Sequence, residues 1–154
     1  MKMVARIYVD TSVFGGVFDL EFEHPSKIFF ELAQKNKFSL CISPVVLFEL
    51  ENSPEKVSKF FSAHTDLFEI LEPDDSSLRL QTEYLRHGVL TEKSENDALH
   101  IAIASVHNCN IIVSWNFKHI VNWKRIPFFN AINVEQGHST IQIYSPWEVI
   151  GDEI

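Results

Sequence analysis

The sequence predicts an α/β layer fold with a mainly parallel central sheet, on three observations. Short apolar runs alternate with segments of roughly eight to fifteen residues that carry helical spacing. Two of those runs, VARIYV and IIV, are apolar enough to be strands buried on both faces, as parallel sheets require. Finally, no repeat, low-complexity tract or Gly/Ser linker divides the 154 residues, and 45% hydrophobic content supplies a core, so one domain over residues 1–154 is expected.

Taken in order, Val4 to Val9 reads as the first strand, interrupted by Arg6 and closed by the polar turn Asp10-Thr11-Ser12, with Gly15-Gly16 free to make an unusual turn. Pro25 opens a helix with Ile28, Phe29, Leu32 and Ala33 on its apolar face. Phe38 to Ile42 is the second strand. Ser43-Pro44 then caps and starts a nearly all-apolar helix that carries one acid, Glu49. Ser53-Pro54 repeats that device for a helix to about Ala63, and Leu67 to Leu71 can form a short strand. Pro73 and Asp74 lead into a helix with Leu78, Leu80, Tyr84 and Leu85 that stops at Gly88.

The stretch from Ser94 to Asn116 is the centre of the chain. Ser94 and Asp97 have capping-box spacing, and Ala98, Leu99, Ile101, Ala102, Ile103 and Val106 surround a helix that must be packed on nearly every side. Asn108-Cys109-Asn110 ends it, Ile111 to Val113 is a buried strand, and Ser114-Trp115-Asn116 follows at the strand's carboxyl end. Phe117 to Gln136 reads as two short helices broken by Pro127. Ile141 to Tyr144 is the last strand and Pro146 to Ile150 a final helical turn.

Thirteen Lys and Arg against 21 Asp and Glu give a net charge of −8, so broad attraction to a polyanion is not written into the composition. That counts against a plain nucleic-acid-binding module. It does not count against an enzyme that gathers carboxylates around a divalent cation. Cys41 and Cys109 sit in or beside strand-like runs without metal-binding spacing, and read as buried thiols. No signal peptide is visible and no apolar stretch approaches the ~20 residues of a membrane span, so a cytoplasmic, membrane-free location is expected.

In an open parallel sheet, ligands bind outside the carboxyl ends of the strands, where Asp10 and Asn116 both fall. Glu49 joins them as a lone acid on an apolar helix, which costs stability if turned inward without a partner; it faces either solvent or a cation. Asp97 stands at a helix start. Three acids and an amide suit a hard cation such as Mg²⁺ or Mn²⁺. Each also has a plain structural reading, since Asp97 could cap its helix and Asp10 and Asn116 could be turn residues.

Together, Asp10-Thr11-Ser12, Glu49 in PVVLFEL, Asp97-Ala98 in SENDALHIAIA and Ser114-Trp115-Asn116-Phe117 in IIVSWNFKHI resemble a PIN domain. The nearest type is the VapC-like toxin ribonuclease of bacterial toxin–antitoxin pairs. The resemblance covers nearly the whole chain in the right order. It implies a three-layer α/β/α sandwich and a Mg²⁺- or Mn²⁺-dependent endoribonuclease site in which Asp10, Glu49 and Asp97 are catalytic metal-binding acids. Asn116 stands where many members have a fourth acid, a departure that removes one charge and puts a second cation in doubt. Thr11, Ser12 and Ser114 match supporting hydroxyls. A homodimer and a small antitoxin partner are implied by the resemblance alone.

Lys118, His119, Lys124 and Arg125 interleave with Trp115, Phe117 and Trp123 beside this site, a combination that could contact phosphates and unpaired bases of an RNA substrate. Trp123 and Phe117 could equally be core residues. His100 and His107 share a helix face without zinc-pair spacing and read as packed or surface histidines, although His100, three residues after Asp97, could point along the same face toward the site. Glu95 either joins Asp97 or only begins the helix. Two other functions fit parts of the pattern. One is a PIN-like domain that has lost catalysis and binds RNA or protein. The other is a phosphatase with Asp10 as nucleophile, which Ser12, in place of a second Asp, disfavours.

Overall fold

A computed structural model describes residues 4–151. Five parallel strands, β1 (Arg6–Val9), β2 (Ser39–Ile42), β3 (Phe68–Ile70), β4 (Ile111–Val113) and β5 (Gln142–Tyr144), lie in the order β3-β2-β1-β4-β5. The helices are α1 (Thr11–Gly16), α2 (Glu23–Gln34), α3 (Pro44–Glu51), α4 (Glu55–Ser62), α5 (Asp75–Arg86), α6 (Glu95–Val106), α7 (Ile126–Glu135) and α8 (Pro146–Ile150). They fall into two packed groups that flank the sheet: α1 lies against α2, α3 and α4 with α8 on α2, while α5 lies against α6 and α7. This is the expected layered α/β fold. No helix among the described residues is long and apolar enough to cross a membrane.

The connections explain where a site must form. From β1 the chain steps outward through β2 to β3, then returns to the other side of β1 for β4 and β5. The carboxyl ends of β1 and β4 therefore diverge into a crevice. Val9 pairs with Val113, and the Asp10 N–H continues the ladder to the Val113 carbonyl at 3.0 Å. Asp10 and Ser114 are thus set side by side by backbone pairing alone. Ile7, Tyr8 and Val9 are all buried, as a central parallel strand demands.

Several local expectations hold. Ser43 caps α3, accepting the Val45 N–H at 3.2 Å with Pro44 in the first turn. Gly88 takes the left-handed conformation (φ +72°) that stops α5, and both cysteines are buried and free. Others are corrected. Ser53 does not cap α4; Pro54 occupies that position, and the Ser53 hydroxyl donates back to the Leu50 carbonyl at 2.5 Å. Pro127 opens α7 instead of breaking two helices, because its missing N–H is harmless in a first turn.

The largest correction is α1, where a turn was expected. Six residues are too few to show periodicity, and the helix exists through packing: Val13 and Phe14 are buried, and the Phe14 ring lies 5.3 to 5.8 Å from those of Phe30, Phe61 and Phe68. That anchor leaves Thr11 and Ser12 facing the crevice. Gly16 is needed for proximity and not for a turn, since a Cβ there would meet Ser26 Oγ at 2.5 Å and the Trp115 indole Nε1 at 2.6 Å. Trp115 is held in place by its Nε1–H bond to Ser26 Oγ (2.9 Å) and by stacking on Phe22.

Gly16→Ala should therefore cost about 1–3 kcal/mol, the usual range for overpacking. Gly15→Ala, whose Cβ meets nothing within 4 Å, should be neutral or stabilising by up to ~1 kcal/mol through helix propensity. Urea unfolding of the two variants checks the pair, and equal midpoints would contradict the close approach of Trp115 to α1.

Candidate active site

Asp10 directly follows β1 in extended backbone and is only 5% exposed. Its Oδ2 accepts hydrogen bonds from Ser12 Oγ (2.7 Å) and Ser114 Oγ (2.8 Å). Each of those hydroxyls in turn accepts a backbone N–H: Trp115 donates to Ser12 Oγ and Asn116 donates to Ser114 Oγ, both at 2.9 Å. With a lone pair of each hydroxyl taken by an amide, the one hydrogen of each points at Asp10.

Glu49 projects from the last turn of α3 into the same crevice. Its Oε1 accepts from Thr11 Oγ1 (2.8 Å) and lies 2.6 Å from His100 Nε2. His100 is wholly buried, and its Nδ1 is 2.7 Å from the Tyr8 hydroxyl, itself 2.7 Å from Ser43 Oγ. Burial works to raise the Glu49 carboxyl, but the hydrogen bond and charge of His100 and the Thr11 hydroxyl outweigh it, leaving Glu49 below its ordinary value. Burial likewise works to lower His100, and Glu49, Asp10 and Asp97 overcome it, so the ring is raised.

Asp97 stands in the first turn of α6 but caps nothing. The capping box fails because Ser94 lies in a 3₁₀ turn, its hydroxyl turned to His119 Nδ1 at 3.3 Å. Asp97 Oδ2 accepts from Asn116 Nδ2 (3.2 Å) and lies 3.0 Å from His119 Nδ1, while Asn116 Oδ1 accepts the His119 backbone N–H at 2.9 Å. Burial first, and then the charge of Asp10, raise the Asp97 carboxyl, only partly offset by His100 and His119.

A common pattern emerges. Each of the three carboxylates has one oxygen met by two partners, and the other, Asp10 Oδ1, Glu49 Oε2 or Asp97 Oδ1, takes no hydrogen bond from the described residues. Unclamped carboxylate oxygens in one crevice are the donor set a hard divalent cation requires. Ligand atoms of Asp10, Glu49 and His100 all lie within 4.8 Å of one another, and Asp97 stands outside that group. His100 was the least visible member in the sequence. Its only signal was the three-residue spacing from Asp97, which puts both on one helix face.

The remaining candidates divide. Lys118 and Lys124 are exposed, and Lys124 Nζ sits 5.7 Å from the Trp123 ring centroid. Arg125 is half-buried and committed to structure, its guanidinium donating to the carbonyls of Lys118 and Val89. His119 belongs to the Asp97 cluster. Trp115 is core, whereas Phe117 and Trp123 are 48% and 76% exposed. Beside this loop a cavity of about 540 Å³, lined by Val89, Asn122, Lys124, Arg125 and Phe128 among others, includes none of Asp10, Glu49 and Asp97. Glu95 is exposed, and His107 bonds the Glu72 carbonyl through Nε2 at 2.9 Å.

The Glu49–His100 pair has a pH signature. The Glu49 contribution to stability is full above its ordinary 4.5 and is lost as pH falls through its lowered value. The His100 contribution is full below its ordinary 6.5 and is lost as pH rises through its raised value. The stability difference between wild type and Glu49→Gln in metal-free buffer should thus be greatest between about pH 4.5 and 6.5 and shrink on both sides. Urea midpoints measured across pH check this, and a flat difference would contradict the pair.

The family model of the PIN domain matches residues 7–117, which include Asp10, Glu49, Asp97 and Asn116. No curated protein matches the sequence. Among solved structures, the chain is similar to VapBC2 from Rickettsia felis bound to a DNA fragment from their promoter, at 17% identity and TM-score 0.59, over 91% of this chain and 98% of that one. It is similar to VapBC-1 from nontypeable Haemophilus influenzae at 16% identity and TM-score 0.60, over 92% and 98%. FitAcB from Neisseria gonorrhoeae matches at 15% identity and TM-score 0.59, again over 92% and 98%. These identities speak for a shared fold. With the family model spanning most of the chain and the parallel sheet laid out as described, the chain belongs to the PIN domain family.

Proposed function

We propose that this protein is a metal-dependent endoribonuclease that hydrolyses RNA phosphodiester bonds, working as the toxin of a toxin–antitoxin pair. The observation that carries the reading is the half-clamped state of Asp10, Glu49 and Asp97 in the crevice between β1 and β4. In this reading Asp10 and Glu49 would hold Mg²⁺ or Mn²⁺, with Asp97 beside them in the same crevice. A divalent ion there supplies acidity to a bound water and neutralises charge on the phosphoryl group and the leaving 3′ oxygen.

The chain's own residues do the rest. Asp97, with a carboxyl raised by burial and by Asp10, is suited to orient the attacking water and take its proton. Asn116 and His119 fix the rotamer of Asp97 from the side where a fourth acid would repel it. Lys118 and Lys124 meet phosphates, and Phe117 and Trp123 offer exposed rings to unpaired bases. Water as nucleophile leaves a 5′-phosphate and a 3′-hydroxyl. The toxin assignment is supported by the likeness to the VapBC and FitAcB structures, and a small antitoxin partner, a homodimer and a cytoplasmic location are further parts of the proposal. Residues 1–154 act as one domain.

A second reading, a binding module without catalysis, is favoured by one observation: Asn116 supplies an amide where an acid would strengthen cation binding. Incubating labelled total RNA with the protein and Mg²⁺, Mn²⁺ or EDTA, beside Asp10→Ala, separates the two. Cleavage should need metal and fall at least ~100-fold in Asp10→Ala, the loss expected when several kcal/mol of metal-supplied stabilisation is removed. Folded protein inert in every lane would favour the binding module. Asp97→Asn should lose activity similarly yet be more stable than wild type in metal-free buffer, by on the order of 1 kcal/mol, because a penalised charge is gone. Thermal unfolding beside the cleavage assay reads both effects.

A further inference from the structure

Three groups from the metal-ligand repertoire meet in the crevice, and one of them is an imidazole. If His100 Nε2 were a ligand, the site would favour Zn²⁺ and other nitrogen-accepting metals over Mg²⁺. Ser43 is wholly buried, and its Oγ already accepts the Val45 N–H. Among the described residues, the only group that can take the Ser43 hydroxyl hydrogen is the Tyr8 oxygen, 2.7 Å away. Tyr8, also wholly buried, then has one place for its own hydrogen, His100 Nδ1 at 2.7 Å. With Nδ1 an acceptor, the neutral ring must carry its hydrogen on Nε2, which points at Glu49 Oε1.

We propose that His100 is a positioning residue and not a metal ligand: a one-way relay, Ser43 to Tyr8 to His100, gives its Nε2 a hydrogen that clamps Glu49 Oε1 and turns Oε2 to the cation. The proposal rests on the metal-dependent reading above and deepens it, since it makes the ion's protein ligands all oxygen. Two observations support it independently of the relay. The 2.6 Å separation of Nε2 and Oε1 is that of a hydrogen bond, shorter than the roughly 3 Å between adjacent ligands about 2.1 Å from one ion. Oε1 also accepts the Thr11 hydroxyl at 2.8 Å, so the same oxygen is held from two directions. Reversing the relay to free Nε2 would leave the wholly buried Ser43 hydroxyl hydrogen with no acceptor among the described residues, a state that costs the full desolvation of that group.

The relay is read directly by ¹⁵N–¹H correlation spectra of the histidine rings in the full-length, metal-free protein, repeated with Mg²⁺ and with Zn²⁺. In the neutral ring the expected result is a hydrogen on Nε2 and none on Nδ1 of His100, unchanged when either ion is added. A neutral ring protonated only at Nδ1, or loss of the Nε2 hydrogen on adding an ion, would overturn the proposal. Mn²⁺ titrations of His100→Gln and His100→Phe supply a second measurement. Loss of the donor in His100→Phe should weaken Mn²⁺ binding about 10-fold or more, as removal of a group orienting a ligand typically does. His100→Gln, whose amide can still donate to Glu49, should recover most of it. Equal weakening in both folded variants would overturn the positioning role. RNA left intact by a protein that nonetheless shows the Nε2 hydrogen would sink the nuclease reading and leave the relay standing.

Discussion

A carboxylate can be withdrawn from water only if donors replace the water it loses, and that constraint at Asp10 organises the crevice. Both donors to its Oδ2 come from segments that reach it for separate reasons. Ser114 arrives because β4 pairs with β1 in register, and Ser12 arrives because α1 is pinned by Phe14. The Trp115 and Asn116 amides then fix the two hydroxyls. Removing any of these contacts would loosen the carboxylate and the β1–β4 junction together. The close fit of Trp115 over Gly16 belongs to the same arrangement, since it holds the segment after β4 against α1.

The same half-clamped solution is repeated at Glu49 and Asp97 with different donors. Glu49 is held by a hydroxyl and a buried imidazole, Asp97 by an amide and a partly exposed imidazole. The environments therefore push the two carboxyls apart, Glu49 downward and Asp97 upward. Divergent acids in one site are the usual basis for a division of labour, one staying ionised to hold charge and one able to accept a proton. Asn116 fits this division. An acid in its place would add negative charge directly beside Asp97, whereas the amide donates to it.

Much of this was legible in the sequence, and the failures have physical causes. Buried β-branched runs announced the strands, and parallel topology put Asp10 and Asn116 at the carboxyl ends of the sheet without any contact being known. Glu49 was conspicuous because an acid on an apolar helix needs a reason. His100 was not, because a histidine among apolar residues looks the same whether it fills space or joins a network; only its partners, Tyr8 and Ser43, distinguish the two, and they lie 92 and 57 residues away in the chain. The α1 helix was missed because tertiary packing, not propensity, makes it. Ser94 does stand at the start of α6, but the expected capping box is absent because its hydroxyl makes no cap bond and lies beside His119 instead. Arg125 looked like a phosphate contact because sequence cannot show that its guanidinium is already occupied.

In the proposed site the half-clamped acids leave a cation position lined by oxygen alone. Anomalous diffraction from crystals grown with Mn²⁺ tests it most directly. The expected map has an ion on Asp10 Oδ1 and Glu49 Oε2, with His100 still bonded to Glu49. An ion coordinated by His100 Nε2, or a crevice that takes none at saturating Mn²⁺, would contradict it.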